Sequence, residues 1–429
     1  MMSRLMAHNL KRVTSLLAAL TLAIGVAPGL AQAQFATACT AGVVGQSGDT
    51  LASLANRYYG ESSAYAAIVG ATNARAALDN SFARIEDPNL IRQGWKLCIP
   101  RSERTQTVIA DASASPALEP LSLPLIGQIV NRLANSSVAD LRQQIYPGSL
   151  ITIEQTLAPG DNYRRYLVSY RSEGLRINAL LTLPDGDKPP GGWPVIVVNH
   201  GYTPPSLYQT TAGYDAHIDA FARNGYIVLR PDYRGHGNSE GDAGGGYDAP
   251  GYTIDVLNAV ASIRRHPDAA ADRIGMWGHS LGGAVTLSSM VVGEDVKAGV
   301  IWAGMAGSYD ELVALWEERQ RDLPAQSRQL GNALIAMLGT PAENPLFWDA
   351  VLLDQHLADL SGAIQLHHSS TDESIPVTFA RALAQQLEAA GQPVEYYEYS
   401  GDNHNLTANF DTAIARSLAF FDLYLKPKG

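Results

Sequence analysis

Cysteine is scarce: Cys39 and Cys98 are the only two in 429 residues. They bracket the segment just after an amino-terminal leader, so in an exported chain they are expected to form one disulfide, the alternative being two unpaired buried thiols. Closing a loop of roughly 60 residues stabilises by about 4 kcal/mol on a chain-entropy reckoning, a large term for a module too small to bury much core. Positive charge is also in deficit, with 31 Lys and Arg against 42 Asp and Glu and a net charge of −11. With no basic stripe either, nucleic acid and anionic lipid are not expected partners, since both reward clustered Lys and Arg. After the leader no run reaches about 18 apolar residues, so no transmembrane segment is expected in the mature chain. The ten histidines show no metal-ligand spacing, and neither a metal nor another cofactor is expected.

The leader itself has a secretory layout: Arg4, Lys11 and Arg12, then an apolar run from Leu16 to Val26, then Ala31-Gln32-Ala33. Residues 1–33 read as a signal peptide cleaved after Ala33, which places the mature protein outside the cytoplasm, secreted or periplasmic. Lipid anchoring at Cys39 is the lesser alternative, because Ala36-Thr37-Ala38-Cys39 is a poor lipoprotein-type sequence well past the apolar run.

The mature chain divides by composition. A small module spans 39–100. Residues 101–120, rich in Ser, Ala, Thr and Pro, read as a linker. Residues 121–162 carry short helical stretches, among them Ser137 to Leu141, and read as an arm packed on a catalytic domain at 163–429. In that domain Tyr163 to Pro184 alternates like two strands around Ser172-Glu173-Gly174, a hairpin signal. Continuous apolar runs follow, at Val195–Val198, Tyr226–Leu229, Ile274–Trp277, Ala298–Trp302 and Ile364–His367, separated by helical stretches. Such runs fit parallel strands buried on both faces with crossover helices. Val394–Tyr399 reads as a last strand and Phe410–Leu425 as a closing helix. The fold class is therefore α/β, a mostly parallel sheet with helices on both faces.

Chemistry enters at Gly278-His279-Ser280-Leu281-Gly282, which fits the Gly-x-Ser-x-Gly nucleophile elbow of the α/β-hydrolases. The elbow turns a strand abruptly into a helix and holds the serine strained and exposed, and larger residues two positions away would clash. The apolar Ile274–Trp277 run before it and the helical Ala284–Leu287 after it supply that context. A serine hydroxyl attacks only when an imidazole takes its proton and a carboxylate holds that imidazole in one tautomer. In this fold the acid and then the histidine follow the serine, each after a strand. Asp372, after Ile364–His368, is the expected acid, with adjacent Glu373 the competitor, and His404 in Gly401-Asp402-Asn403-His404-Asn405 is the expected base. Asp402 reads as a loop solvator, His367 and His368 as packing or hydrogen-bonding residues, His279 as pointing into helix packing, and His200 and His236 as shaping the site. The developing oxyanion needs two donors: the N–H of Leu281, and that of Tyr202 in Asn199-His200-Gly201-Tyr202.

Two resemblances bear on function. Gln46-Ser47-Gly48-Asp49-Thr50-Leu51-Ala52-Ser53-Leu54-Ala55 and Asp87 to Pro100 resemble a LysM module, a small α+β unit. Asp49 or Thr50 can cap its helix and the Leu97–Ile99 run can close it as a strand. LysM modules commonly hold N-acetylglucosamine-containing glycans, so the resemblance implies attachment to peptidoglycan or a chitin-type glycan, against the alternative of a spacer without ligand. From Tyr163 to Leu425 the chain resembles the catalytic domain of the prolyl oligopeptidase family and dienelactone-hydrolase-like esterases. The likeness rests on Asn199-His200-Gly201-Tyr202, Arg230 to Gly241, Trp277 to Gly283 and Asp402-Asn403-His404. It implies an α/β-hydrolase fold with Ser280, Asp372 and His404 as nucleophile, acid and base. Peptidases of that family usually carry a β-propeller, which the short segment before Tyr163 cannot hold. Residues 308–360, with Trp316, Phe347 and Trp348, read as a small helical cap or as a surface excursion. The expected function is a serine-type peptidase acting on small peptides or aminoacyl amides, with a carboxylesterase on the same triad as the alternative and an inactive glycan-binding scaffold as the third reading.

Overall fold

A computed structural model describes residues 39–46, 49–59, 65–76, 79–85, 91–100, 137–205, 208–243, 250–306, 310–311, 313–314, 317, 340–345, 348 and 352–427. The leader (1–33), the linker (101–120), the arm up to residue 136 and most of the 308–360 segment, Trp316 and Phe347 included, lie outside the described residues. Among the described residues no helix is long and apolar enough to cross a membrane.

The amino-terminal segment pairs β1 (Cys39–Val44) antiparallel with β2 (Lys96–Pro100), with α1 (Leu51–Tyr59) and α2 (Tyr65–Ala76) between them. Thr50 caps α1: its hydroxyl accepts from the Ser53 N–H at 2.9 Å while Ser53 Oγ accepts from the Thr50 N–H at 2.9 Å. Leu51, Leu54, Ala55, Ile68, Leu97 and Ile99 bury a core of their own. Cys39 and Cys98 are joined as a disulfide, with Cα atoms 5.3 Å apart.

The remaining strands make one sheet of nine, in the order β11-β10-β9-β8-β6-β7-β5-β4-β3. Its antiparallel edge is built by β3 (Thr152–Thr156), β4 (Tyr163–Ser172) and β5 (Leu175–Pro184). The β4–β5 hairpin turns at Glu173 and Gly174, both with positive φ (48° and 83°), the twist that a two-residue turn requires. From β7 onward the pairing is parallel: β6 (Trp193–Asn199), β7 (Ile227–Pro231), β8 (Ala269–His279), β9 (Val296–Trp302), β10 (Ala363–Ser369) and β11 (Val394–Tyr399). Every expected strand is present, and β3 is an addition that sequence did not reveal, because none of its residues is buried and no alternation marks it.

Helices cover both faces. On one side lie α3 (Val138–Gln143), α5 (Gly251–Ile263), α6 (Leu281–Val292) and α7 (Thr378–Ala389); on the other lie α4 (Asp215–Arg223) and α8 (Phe410–Leu425). The run Val195–Val198 is apolar at every position for this reason: Val195 and Val197 face the first layer, Ile196 and Val198 the second. The arm's described part packs on the first layer, where Arg142 donates to the Val291 carbonyl at 2.7 Å and Val138 and Leu141 join the core. The result is an α/β-hydrolase fold.

Candidate active site

The sheet order places the site. β6 lies between β7 and β8, so the chain leaves it in opposite directions on its two sides, the switch point at whose carboxyl ends open α/β sheets place their ligands. Ser280 sits there, between the end of β8 and the start of α6, with φ 55° and ψ −121°, a backbone state disfavoured for any side chain. Its N–H donates to the Trp302 carbonyl at 3.0 Å, and its own carbonyl accepts from Gly283 at 2.9 Å and Met305 at 3.2 Å. Close approach explains the flanking glycines. A Cβ on Gly278 would overlap the Gly282 carbonyl, and one on Gly282 would overlap the Asn199 carbonyl and come within 2.8 Å of the His200 oxygen. The first turn of α6 is thus pressed against the loop after β6, which brings Leu281 and the Gly201–Tyr202 loop to one place. Asn199 holds that seam by donating to Thr286 Oγ1 at 2.8 Å.

Beyond β10 and β11 the other two expected residues meet. His404 Nδ1 lies 2.8 Å from Asp372 Oδ2 and 3.0 Å from Oδ1. Asp372 Oδ1 also accepts from the N–H groups of Ser374 at 2.7 Å and Ile375 at 2.9 Å. His368 Nε2 is 3.2 Å from Asp372 Oδ2 and 2.9 Å from the Ile375 carbonyl, so a proton on that nitrogen serves both acceptors. Burial would raise the Asp372 pKa, but His404 beside it, with the His368 hydrogen bond, outweighs burial and holds the carboxyl well below its ordinary range. Glu373, the competitor, is engaged differently: Oε2 accepts from the His404 backbone N–H at 3.0 Å and Oε1 from Thr50 Oγ1 at 3.1 Å. It therefore touches the backbone of His404 and not its ring, and it ties the disulfide-closed segment to the rim of the site.

Asp402 is not a solvated loop residue. It is 3% exposed, its Oδ1 accepts from the Asn403 and Ala408 N–H groups and its Oδ2 from Asn409, while its carbonyl accepts from Ser369 and Thr371. It pins the His404 loop between β10 and the start of α8. A carboxylate next to Asn and Gly looks solvated in sequence, and nothing local in the sequence tells that six donor groups converge on this residue. His200 is buried between the rings of Tyr208 (4.5 Å) and Tyr233 (4.0 Å), and burial, then His236, keep it neutral. Its Nδ1 lies 2.8 Å from the Gly201 carbonyl, so it shapes the loop after β6 from within. His367 is likewise buried, between Gln365 (2.7 Å) and Tyr399 (2.8 Å). His279 differs from expectation: its Nδ1 lies 2.9 Å from Tyr214 Oη and its Nε2 3.1 Å from the His404 carbonyl, which puts it between two parts of the site rather than in helix packing. Tyr214, which also accepts from the Gly201 N–H at 2.9 Å, carried no signal in the sequence.

Comparison with known proteins agrees with this architecture. The family profile for X-Pro dipeptidyl-peptidase (S15 family) matches residues 173–397, just over half of the chain. An uncharacterized peptidase of Bacillus subtilis (strain 168), YtmA, is 26% identical over 263 residues, covering 61% of this chain and 94% of that protein. Among solved structures, the acylaminoacyl peptidase of Pyrococcus horikoshii superposes with a TM-score of 0.50 at 17% identity, over 63% of this chain and 43% of that one. An acetyl xylan esterase from Paenibacillus sp. R4 gives a TM-score of 0.50 at 18% identity, over 68% and 93%. At such identities the two structures speak for the fold, and this chain spans less than half the length of the acylaminoacyl peptidase. The resemblance in sequence pointed to a prolyl-oligopeptidase-type catalytic domain; what that type shares with the matched family is a serine hydrolase on the α/β-hydrolase fold. By its match over residues 173–397, this chain belongs to the X-Pro dipeptidyl-peptidase (S15) family and is a serine hydrolase.

Proposed function

We propose that the protein is a serine-type peptidase acting on short peptides or aminoacyl amides through an acyl-enzyme at Ser280, with His404 as general base and Asp372 as the carboxylate that orients it. The observation that carries the reading is the Asp372–His404 pair, 2.8 Å apart, behind the same sheet edge as the strained Ser280. In the first half-reaction Ser280 Oγ attacks the scissile carbonyl carbon as its proton passes to His404 Nε2. The N–H groups of Tyr202 and Leu281 donate to the oxygen that becomes negative. The tetrahedral intermediate then collapses: the C–N bond breaks and His404 returns the proton to the departing amine. Water repeats the sequence against the acyl-enzyme and frees Ser280. Asp372 stays ionised throughout, since its depressed pKa lies on the acid side of any working pH.

A carboxylesterase is the second reading, because nothing in the hydrogen bonding around His404 discriminates an alkoxide from an amine leaving group. A matched panel of short acyl esters, Xaa-Pro amides, other aminoacyl amides and short peptides separates the two. Esters are expected to turn over faster than amides, since the amine must be protonated to leave. Measurable, sequence-selective amide cleavage upholds the peptidase, and hydrolysis confined to esters across the panel replaces it with the esterase.

We further propose that the protein is exported after cleavage near Ala33 and that residues 39–100 hold it to peptidoglycan or a chitin-type glycan. The disulfide and the β1-α1-α2-β2 order support this reading. The mature Ser280→Ala protein is expected to sediment with insoluble peptidoglycan or chitin. Failure to sediment with either polymer, with the disulfide intact by mass spectrometry, would leave this segment a spacer.

A further inference from the structure

His279 occupies the variable position before the nucleophile, and its hydrogen bonds admit one proton arrangement. The His404 carbonyl can only accept, so the Nε2 3.1 Å from it carries the proton. Burial, with the neighbouring His404 next, keeps His279 from taking a second one. Nδ1 is then a bare acceptor, and Tyr214 Oη, 2.9 Å away, donates to it. That hydroxyl in turn accepts from the Gly201 N–H at 2.9 Å. Every donor in the series meets an acceptor, and reversing any one proton leaves two donors or two acceptors facing each other in a buried place.

The series joins two regions that must keep a fixed spacing. At one end is Gly201, whose neighbour Tyr202 is the proposed oxyanion donor; at the other is the backbone of the proposed base. His404 is thereby held on three sides: the ring by Asp372, the N–H by Glu373 and the carbonyl by His279. Tyr214 supports the same conclusion independently. It stands before α4 with φ 59° and ψ 20°, a left-handed state that a tyrosine rarely adopts, and its hydroxyl reaches the site from that constrained backbone.

We propose that His279 and Tyr214 act as positioning residues that set the distance between the oxyanion loop and His404, with His279 working as the neutral Nε2–H tautomer. This rests on the roles assigned above to Ser280, Tyr202 and His404. A displacement of about 1 Å between catalytic groups can cost on the order of a hundredfold in rate. Tyr214→Phe and His279→Leu are therefore expected to lower kcat roughly tenfold to a hundredfold with KM changed by less than about threefold. The loss should be matched in the rate of covalent labelling of Ser280 by a fluorophosphonate. His279→Gln keeps an amide oxygen for Tyr214 and an amide N–H for the His404 carbonyl, and it should recover most of the rate. Combining Tyr214→Phe with His279→Leu should cost little more than either change alone. Rates are referred to the fraction of protein that labels to completion, which separates slow sites from misfolded ones. Wild-type rates in both single variants would overturn the proposal, as would a His279→Gln protein no faster than His279→Leu. If the folded wild-type protein is not labelled at all, the catalytic reading itself fails, which is a different result from equal labelling of wild type and variants.

Discussion

Ser280→Ala is expected to lower kcat by about a millionfold while leaving the fold and substrate affinity near wild type. The magnitude follows from the way triad members act as one unit: removing the nucleophile from a comparable enzyme costs on the order of 10⁶ in kcat, and what survives comes from the oxyanion donors and binding alone. The fold should tolerate the change because the Ser280 backbone is held by Trp302, Gly283 and Met305, and alanine keeps those main-chain bonds. Alanine is no easier than serine at φ 55°, so no gain in stability accompanies the loss. Steady-state turnover, thermal unfolding and fluorophosphonate labelling measure the three quantities. Residual activity within a hundredfold of wild type, in protein freed of contaminating hydrolase, would remove Ser280 from the chemistry.

Asp372→Asn is expected to lower kcat about ten-thousandfold, and the hydrogen bonds around it say why. Asp372 Oδ1 accepts from two backbone N–H groups, Ser374 and Ile375, so the asparagine oxygen must stay there. The new NH₂ then takes the place of Oδ2, facing His404 Nδ1 and the proton on His368 Nε2. A donor facing Nδ1 forces the His404 proton onto Nε2, the nitrogen that has to accept from serine. The base is thus present, correctly placed and in the wrong tautomer. KM should change little. Glu373→Gln is the control: its carboxylate accepts from the His404 main chain and from Thr50, not from the ring, and the expected loss is within about tenfold. Equal losses in the two variants would reject Asp372 as the orienting acid. The pH dependence has a definite sign. A carboxyl whose folded pKa is lowered contributes stability that is fully present above its ordinary value of 3.8 and is lost as pH falls through the depressed one. A fall in activity between about pH 7 and pH 5 in the wild type therefore reports a group other than Asp372.

Much of the fold was legible because the parallel strands are covered on both sides, and an uninterrupted run such as Val195–Val198 can hardly be anything else in a chain with an elbow motif. The hairpin was legible through Glu173–Gly174, where the turn demands positive φ. Strand β3 was not, since Thr152–Thr156 buries nothing and owes its place to pairing with β4 alone. At the site, sequence order and distance from a strand end were enough to bring Asp372 and His404 together. The groups that hold those residues were invisible for a common reason: each acts across a long separation. Asp402 meets Ser369 and Thr371 across 33 and 31 positions, Thr50 reaches Glu373 across 323, and Tyr214 meets His279 across 65. Local pattern carries the identity of a reacting atom far better than the identity of what steadies it.

The backbone of Ser280 has an implication for how this protein responds to selection. At φ 55° and ψ −121° glycine would sit without strain, whereas any side chain there costs on the order of 1–3 kcal/mol. The residue proposed as the nucleophile is thus one that heat resistance would discard first. A variant library ranked only on survival at raised temperature drifts at this position toward glycine and so toward folded, durable and inert protein. Ranking on retained turnover holds the serine in place and obliges the stabilising changes to arise elsewhere, in the two helical layers that flank the sheet.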